Sequence, residues 1–294
     1  MLTGKSVYHV TQGIGHHFST DEISGYYNDM TAKVTMQPQL LDNDQLPRLS
    51  DIYGKDIEFA VGIFQYGLGA WDLYLESKDN RYLNKFNQAV DWAQTHQLEN
   101  GAWHNFDHIY PTHPFSAMAQ GEGASLLLRA YQQTGEASYL EKAGKAIDMM
   151  IMPVSKGGTT LYQDNQSILL EFVHRPAVLN GWIFAWFGLY DYVKATGDEG
   201  KYKAVLQQSA DTLEKMLPQF TNRYWSMYDL DGRISSPFYH KLHIAQMQAL
   251  HQLTGRETFA RYALKWESYQ RNPLKKAAAF VYKASQKIVE KNVP

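Results

Sequence analysis

Residues 131–140 of the chain, YQQTGEASYL, have the form of a tight polar turn that joins two helices. Three further segments share this form, at residues 75–83 (LESKDNRYL), 193–202 (VKATGDEGKY) and 250–259 (LHQLTGRETF). A Thr-Gly pair is at the centre of the last three copies, which are spaced by 62 and 58 residues, and Lys78-Asp79 replaces it in the first. A repeat of about 60 residues is long enough for two helices and a connection, so it predicts helical hairpins.

The segments on either side of these turns have helical periodicity. Before the first turn, apolar residues recur at spacings of three and four, as in Ile63, Tyr66, Ala70 and Leu73. Residues 182–192 (WIFAWFGLYDY) are apolar on almost every side, whereas the helices after the turns have charged outer faces. This alternation predicts a mainly α fold, an α/α toroid or incomplete barrel of about four hairpins. An open curved stack of hairpins is the alternative.

Two segments lie outside the repeat and define the predicted domains. Residues 1–57 are predicted to form a short extended or β arm, and residues 58–272 the toroid. Residues 273–294 are predicted to form a basic amphipathic helix. Its basic residues are Lys275, Lys276, Lys283, Lys287 and Lys291, against the single acid Glu290 and the apolar Val281, Ile288 and Val289. A packed helix with a solvated basic face is the simpler interpretation, and contact with an anionic membrane surface or a partner is the second.

Composition excludes several classes of function. The 294 residues carry 28 basic and 30 acidic side chains, so no global positive field attracts nucleic acid. The absence of cysteine excludes disulfides, thiolate metal sites and a cysteine nucleophile. Residues 1–12 lack the apolar stretch of a signal peptide, and no window reaches the length of a membrane span. We therefore expect a cytoplasmic chain, with peripheral membrane contact and a homodimer as further possibilities.

Long connections separate the hairpins, at residues 99–115, 153–176 and 218–238. Each follows an outer helix and precedes an inner one, so all three are expected at the same mouth of a toroid. Six of the 11 histidines lie in these connections or just after them, namely His104, His108, His113, His174, His240 and His243. Long connections inside a compact domain are more often functional than accidental.

Two features of these connections could carry chemistry. His240 and His243 could bind a metal from one helix face, but no third ligand is identifiable in the sequence. The favoured interpretation is that the two histidines line a cleft as polar groups. No metal or cofactor is expected. Glu171 lies in the apolar segment SILLEFV, residues 167–173. Such surroundings raise the pKa of a carboxyl towards the range useful for proton transfer. An ion pair with Arg175 is the structural alternative.

Five blocks of sequence occur in the order and approximate spacing of one enzyme family. They are residues 65–68 (QYGL), 116–121 (SAMAQG) with 129–131 (RAY), 178–181 (VLNG) with 188–191 (GLYD), 228–230 (YDL), and Tyr239-His240 with His243-Ile244 and Gln246. From about residue 57 to 272, the chain thereby resembles the C-terminal helical domain of D-glucuronyl C5-epimerases. The resemblance implies a toroid that converts glucuronate to iduronate in heparosan-type polysaccharides. It also implies an anionic polysaccharide as the partner.

The resemblance assigns three catalytic candidates. The family's glutamate falls on Glu171 if a two-residue deletion is allowed, and its two tyrosines fall on Tyr228 and Tyr239. Phe172 and Asp231 depart from the family's Tyr and Arg, and Arg233 is a possible substitute for that arginine. The family's N-terminal tyrosines have no secure equivalents, and the candidates are Tyr26, Tyr27 and Tyr53. The predicted substrate-binding residues are Asn180, His240, His243, Arg233, Arg175, Gln120, Trp103 and Tyr27.

Inversion at C5 of a uronate suits these residue types. A proton alpha to the carboxylate is removed from one face and one is returned to the other, so two acid/base groups must flank the ring. Glu171 and Tyr239 are the predicted pair, with Tyr228 assisting. A polysaccharide lyase would begin with the same proton abstraction, and a glycoside hydrolase would need a second carboxylate. The connections offer four for that role, Asp107, Asp164, Asp229 and Asp231. A non-catalytic glycan-binding toroid is the alternative from another class.

Overall fold

A computed structural model describes residues 10–50 and 54–291 of the chain, with side chains up to residue 288. The described residues form ten α-helices: α1 (Thr31–Thr35), α2 (Ala60–Ser77), α3 (Asn80–His96), α4 (Ala117–Thr134), α5 (Ala137–Ile151), α6 (Leu179–Thr196), α7 (Lys201–Met216), α8 (Pro237–Thr254), α9 (Glu257–Arg271) and α10 (Pro273–Lys291). They also form two antiparallel strand pairs, β1 (Arg48–Ser50) with β2 (Asp56–Glu58), and β3 (Thr160–Gln163) with β4 (Gln166–Leu169).

The hairpin turns are all closed by the same local bonds. The inner helices α4, α6 and α8 end at Gly135, Gly197 and Gly255, whose φ angles of 73°, 64° and 69° favour glycine. The threonine before each glycine donates from Oγ1 to the carbonyl four residues earlier, at 2.6–2.8 Å. In the divergent first turn the equivalent pair is Ser77-Lys78, one residue before the predicted Lys78-Asp79. Ser77 makes the equivalent bond, at 2.7 Å, and Lys78 takes the left-handed conformation, with φ 57°. The sequence repeat therefore corresponds to one type of helix-to-helix turn that recurs in all four hairpins.

The four hairpins supply the inner and outer helices of the toroid. The inner helices α2, α4, α6 and α8 pack in chain order, and each packs on its own outer helix, α3, α5, α7 and α9 respectively. Trp182, Phe184 and Phe187 on α6 are 0% exposed, as expected of a helix with neighbours on every side. The prediction of a mainly α, α/α toroid of four hairpins is confirmed.

Within the described part of the N-terminal arm, residues 23–40 contribute buried side chains to the core. Its backbone folds back at a β-bridge between Ile14 and Asn28, and α1 follows. Tyr26 and Tyr27 are 0% and 1% exposed, because the arm inserts them among the aromatic residues of α6. The sequence indicated an extended or β arm, and the structure adds the short helix α1.

The C-terminal helix α10 begins at Pro273 and packs on α9 and on the connection before α8. Its Lys283 donates from Nζ to the Ile234 carbonyl at 2.7 Å. Val281 and Ile288, two of its predicted apolar residues, are 67% and 64% exposed. The side chains of residues 289–291 lie outside the described part of the chain.

Over residues 10–50 and 54–291, no helix combines the length and the apolar character needed to cross a bilayer.

Candidate active site

A cavity of about 250 Å³ opens where the N-terminal ends of all four inner helices converge. Its described lining residues are Gln12, Lys33, Leu49, Phe59, Val61, Gly62, Gln65, Asn105, Phe106, Met118, Glu171, Asn180, Phe184, Phe238, Tyr239 and Leu242. The first turns of α2, α4, α6 and α8 each contribute, together with the arm and the connections before α4 and α6. Helix N-termini carry partial positive charge, so this convergence favours a ligand with negative charge.

Glu171 enters this cavity from the connection that follows β4. The residue is 8% exposed, and among the described atoms its Oε2 has no hydrogen-bond partner. Burial raises the pKa of Glu171 to about 8, an effect that Arg233 opposes and Asp229 supports. The carboxyl group lies against Gly181 in the first turn of α6, where a side chain would collide with it. An unpartnered, buried carboxyl with a pKa near 8 is suited to proton transfer.

Tyr239 is the second acid/base group on the cavity wall. Ser236 caps α8 by accepting the backbone N–H of Tyr239, which fixes this first turn. The ring of Tyr228 packs edge-on against Tyr239 with centroids 4.8 Å apart, and a hydrogen bond joins the two side chains. Burial raises the pKa of both tyrosines, and the nearby Glu171 carboxylate raises both further. Glu171, Tyr239 and Tyr228 therefore form one interacting cluster.

Arg233 lies beside this cluster. Its guanidinium is 5.7 Å from the centre of the Tyr228 ring and donates from Nε to Asp229 Oδ2 at 2.5 Å. Asp229 also accepts the backbone N–H of Arg233 at 3.0 Å, so a tight loop holds the arginine in place. The positive charge favours the ionised form of Glu171. This placement is consistent with Arg233 as the substitute for the arginine that position 231 lacks.

Asn180 is the one predicted binding residue among the described residues that line the cavity. It is 3% exposed and follows the first residue of α6. Gln246 on α8 donates to the Asn180 carbonyl at 3.2 Å and so ties the two helices together. Within the described structure, the side-chain oxygen of Asn180 has no hydrogen-bond partner.

The structure places His240 and His243 in the core, behind the cavity wall. Both rings reach the hydroxyl of Ser226 through Nδ1, at 2.8 and 3.0 Å. His240 also bonds the Trp266 carbonyl at 3.0 Å and stacks on Trp225. Burial lowers the pKa of both histidines, that of His240 to about 4, so both are neutral at neutral pH. Their role here is to join α8 to the preceding connection.

Three further predicted binding residues are also packed in the interior. Trp103 is 0% exposed and donates from Nε1 to the Ala93 carbonyl at 2.8 Å. Gln120, in the amide orientation that satisfies both ends, donates to the Gly101 carbonyl and accepts the Trp103 N–H, each at 3.2 Å. Tyr27 donates to Asp191 at 2.5 Å. The third N-terminal tyrosine candidate, Tyr53, lies outside the described residues.

Arg175 lies on the rim of the mouth rather than in the cavity wall. It donates from Nη2 to the Tyr110 hydroxyl at 2.5 Å and packs over the Tyr110 and Phe172 rings. His113 and His174 are adjacent, with ring centroids 4.7 Å apart. Among the described residues Glu171 and Arg175 form no ion pair, because Arg175 is turned towards Tyr110.

Two buried charged residues of the site were missed by the sequence prediction. Glu122 on α4 and Lys33 on α1 are 0% and 7% exposed. Gln65 joins Glu122 to the cavity wall by donating to its Oε1 at 2.9 Å. Glu122 lies among small and apolar residues, as Glu171 does, and this signal could have identified it. Across the described chain, no three His, Asp or Glu side chains are grouped so that they could hold a metal ion.

Solved structures with similar folds include carbohydrate-active enzymes. Cellobiose 2-epimerase from Bacillus thermoamylovorans aligns with a TM-score of 0.54, over 72% of this chain and 59% of that one, at 12% identity. An inactive variant of an alpha-1,6-mannanase of a Salegentibacter species, in complex with alpha-1,6-mannotriose, aligns with a TM-score of 0.50, over 70% of this chain and 62% of that one, at 17% identity. At these identities the similarity concerns the fold alone.

Proteins similar in sequence give more specific information than these structural similarities. An uncharacterized protein of Methanocaldococcus jannaschii is 31% identical over 156 residues, which are 51% of this chain and 50% of that protein. The D-glucuronyl C5-epimerase of Caenorhabditis elegans is 23% identical over 223 residues, 66% of this chain and 36% of that enzyme. The chain thus matches half or less of the length of these relatives.

The family model described as "D-glucuronyl C5-epimerase C-terminus" matches residues 110–268, more than half of the chain. The match includes Glu171, Tyr228 and Tyr239, and it confirms the family resemblance seen in the sequence blocks. This chain belongs to the D-glucuronyl C5-epimerase C-terminal domain family.

Proposed function

We propose that this protein is a carbohydrate epimerase that inverts C5 of D-glucuronate residues to L-iduronate in a heparosan-like polysaccharide. One observation carries the proposal: the Glu171 carboxyl, whose Oε2 has no hydrogen-bond partner within the described residues, and the Tyr239 side chain meet at a single cavity built from the helix N-termini. Epimerisation requires two acid/base groups that reach one carbon atom, and this pair supplies them. The anionic polysaccharide is the partner that this chemistry implies.

In the first step, the ionised Glu171 takes the proton from C5. The O–H bond of Glu171 forms as the C5–H bond breaks, and the electron pair moves into the sugar carboxylate to give an enediolate. Burial raises the pKa of Glu171 and makes its carboxylate a stronger base than an exposed one. Arg233 retains part of the ionised population at neutral pH. The helix N-termini around the cavity favour the negative charge that develops.

In the second step, Tyr239 gives its phenolic proton to the opposite face of C5. The new C5–H bond forms from the electron pair of the enediolate, and Tyr239 becomes a phenolate. The hydrogen bond from Tyr228 stabilises that phenolate and lowers the pKa of Tyr239 in part. Exchange with solvent then returns a proton to Tyr239 and removes one from Glu171, so the cycle consumes no net proton.

The structure also bears on the glycoside hydrolase alternative, because it brings a second buried carboxyl, Glu122, close to Glu171. Glu122 is held by Gln65 and is not among the described residues that line the cavity. Burial raises the pKa of both carboxyls to about 8. An inverting or retaining hydrolase needs two carboxyls that both reach the glycosidic bond, and of this pair only Glu171 is among the described residues that line the cavity. The arrangement therefore supports epimerisation better than hydrolysis.

The test is incubation with heparosan in deuterated water, followed by NMR of the recovered polymer. The expected result is deuterium at C5 together with iduronate residues. Glu171→Gln and Tyr239→Phe should each reduce exchange at least about 100-fold, because each removes one acid/base group. Ultraviolet-absorbing unsaturated ends would instead indicate a lyase, and new reducing ends a hydrolase. Binding that is unchanged in both variants, without exchange in the wild type, would indicate a glycan-binding toroid.

A further inference from the structure

Lys33 is the one lysine or arginine among the described residues that line the cavity. It extends from α1 of the N-terminal arm and is 7% exposed. Asp29 fixes the start of α1 by accepting the Thr31 N–H at 2.9 Å and the Thr31 hydroxyl at 2.6 Å. The arm, which also contributes Gln12 and Leu49 to the lining, therefore delivers a cation into a cavity whose remaining described walls come from the toroid.

Glu122 lies behind this lysine as a second buried charged group. Gln65 occupies Oε1 of Glu122, and within the described residues Oε2 has no hydrogen-bond partner. The Glu122 carboxylate opposes the effect of burial on Lys33, which lowers the pKa of the amine to about 8. Burial raises the pKa of Glu122 to about 8. Burial therefore disfavours the charged form of each group, and the Glu122 carboxylate favours the protonated form of the Lys33 amine.

We propose that Lys33 binds the carboxylate of the sugar residue in the cavity and makes the site select uronates over neutral sugars. This inference rests on the proposed function, which places a sugar residue in the cavity. A sugar carboxylate is costly to bury without a cation. Arg233, the other cation near Glu171, is not among the described residues that line the cavity. An ammonium at the carboxylate also stabilises the second negative charge that the enediolate acquires.

The test compares two forms of one oligosaccharide by titration calorimetry. One is a heparosan oligosaccharide, and the other is its carboxyl-reduced form, in which glucose replaces glucuronate. The wild type should bind the acidic form at least about tenfold more tightly. Lys33→Met, which keeps an unbranched side chain one atom shorter and removes the charge, should bring the two affinities within about threefold by weakening only the binding of the acidic form. Lys145→Met on the exposed face of α5 is the matched control and should keep the wild-type ratio.

Each outcome decides a different claim. A Lys33→Met variant that retains the tenfold ratio would contradict the role of Lys33. Should that variant not fold, the wild type alone remains decisive, since equal affinities for the two oligosaccharides would overturn the inference. Tenfold selectivity without deuterium exchange would contradict the proposed function and leave this inference standing. A wild type that binds neither form would contradict both.

Discussion

The carboxyl group of Glu171 lies directly against Gly181, so that a Cβ atom on Gly181 would stand 2.3 Å from Glu171 Oε2 and 2.7 Å from Glu171 Cβ. Glu171 comes from the connection after β4, and Gly181 from the first turn of α6. The missing side chain makes room for the carboxyl at the wall of the cavity. The Val-Leu-Asn-Gly block therefore shapes the position of the catalytic candidate as well as the start of a helix.

Substitution of Gly181 by alanine should displace this carboxyl. Atoms at 2.3 Å overlap, so Glu171 must shift, and a shift of about 1 Å at a reacting group can cost roughly 100-fold in rate. We expect exchange at C5 to fall by that order, while thermal unfolding shows a folded protein. Gly200→Ala is the control, because the nearest atom there is 3.4 Å away. Wild-type exchange in Gly181→Ala would show that the position of Glu171 is not critical.

The pH dependence of exchange should report the ionisation of Glu171. Its pKa is raised to about 8 by burial, so the ionised, proton-accepting fraction grows as pH rises towards 8. Below that value the rate of deuterium exchange should increase by up to about tenfold per pH unit, and it should level off above. The measurement is an exchange-rate profile from about pH 6 to 9. A rate that falls over the acidic half of this range would exclude Glu171 as the base.

Tyr228→Phe should have a smaller effect than Tyr239→Phe. The variant keeps the ring that packs on Tyr239 but removes the hydroxyl whose hydrogen bond lowers the pKa of Tyr239. The Tyr239 phenolate then becomes harder to form, and we expect roughly a tenfold loss of exchange, about the value of one hydrogen bond. Equal losses in the two variants would assign Tyr228 a direct role in proton transfer.

The helical scaffold could be predicted because its information is local. A threonine, a glycine and the next two residues determine each turn, and the spacing of apolar residues determines each helix. Ser77 and Lys78 show that the same turn survives when both key residues change, so the divergent copy was also identifiable. The arm was predicted less well, since α1 has five residues and depends on its contact with α2.

Part of the site could also be predicted from local sequence. Glu171 is a carboxylate in an apolar segment, and its position in the sequence already implies burial. His240 and His243 were assigned to the mouth from their place after a connection, but their side chains turn inward to Ser226. The sequence pattern shows which connection a residue follows and not where its side chain points. Lys33 reaches the cavity only through the folding of the arm.

The ion pair between Arg129 and Asp191 should determine stability rather than activity. Arg129 Nη1 is 2.7 Å from Asp191 Oδ2, and the two side chains are 1% and 0% exposed. Asp191→Asn removes the only full negative charge of this pair, so the free energy of unfolding should fall by about 3–5 kcal/mol. Tyr27→Phe removes one donor to that carboxylate and should cost about 1–3 kcal/mol.

Urea unfolding of both variants gives these free energies. The control is Asp148→Asn, which disrupts an exposed ion pair with Lys201 and should cost no more than about 1 kcal/mol. Wild-type stability in Asp191→Asn would contradict the structural role of the pair. The Tyr27→Phe variant distinguishes a structural role of Tyr27 from a substrate-binding role. If this variant had wild-type stability but weakened affinity for the sugar chain, the Tyr27 hydroxyl would contact the substrate instead of the core. We expect reduced stability and unchanged affinity instead, because the Tyr27 hydroxyl donates to Asp191 in the core and Tyr27 is not among the described residues that line the cavity.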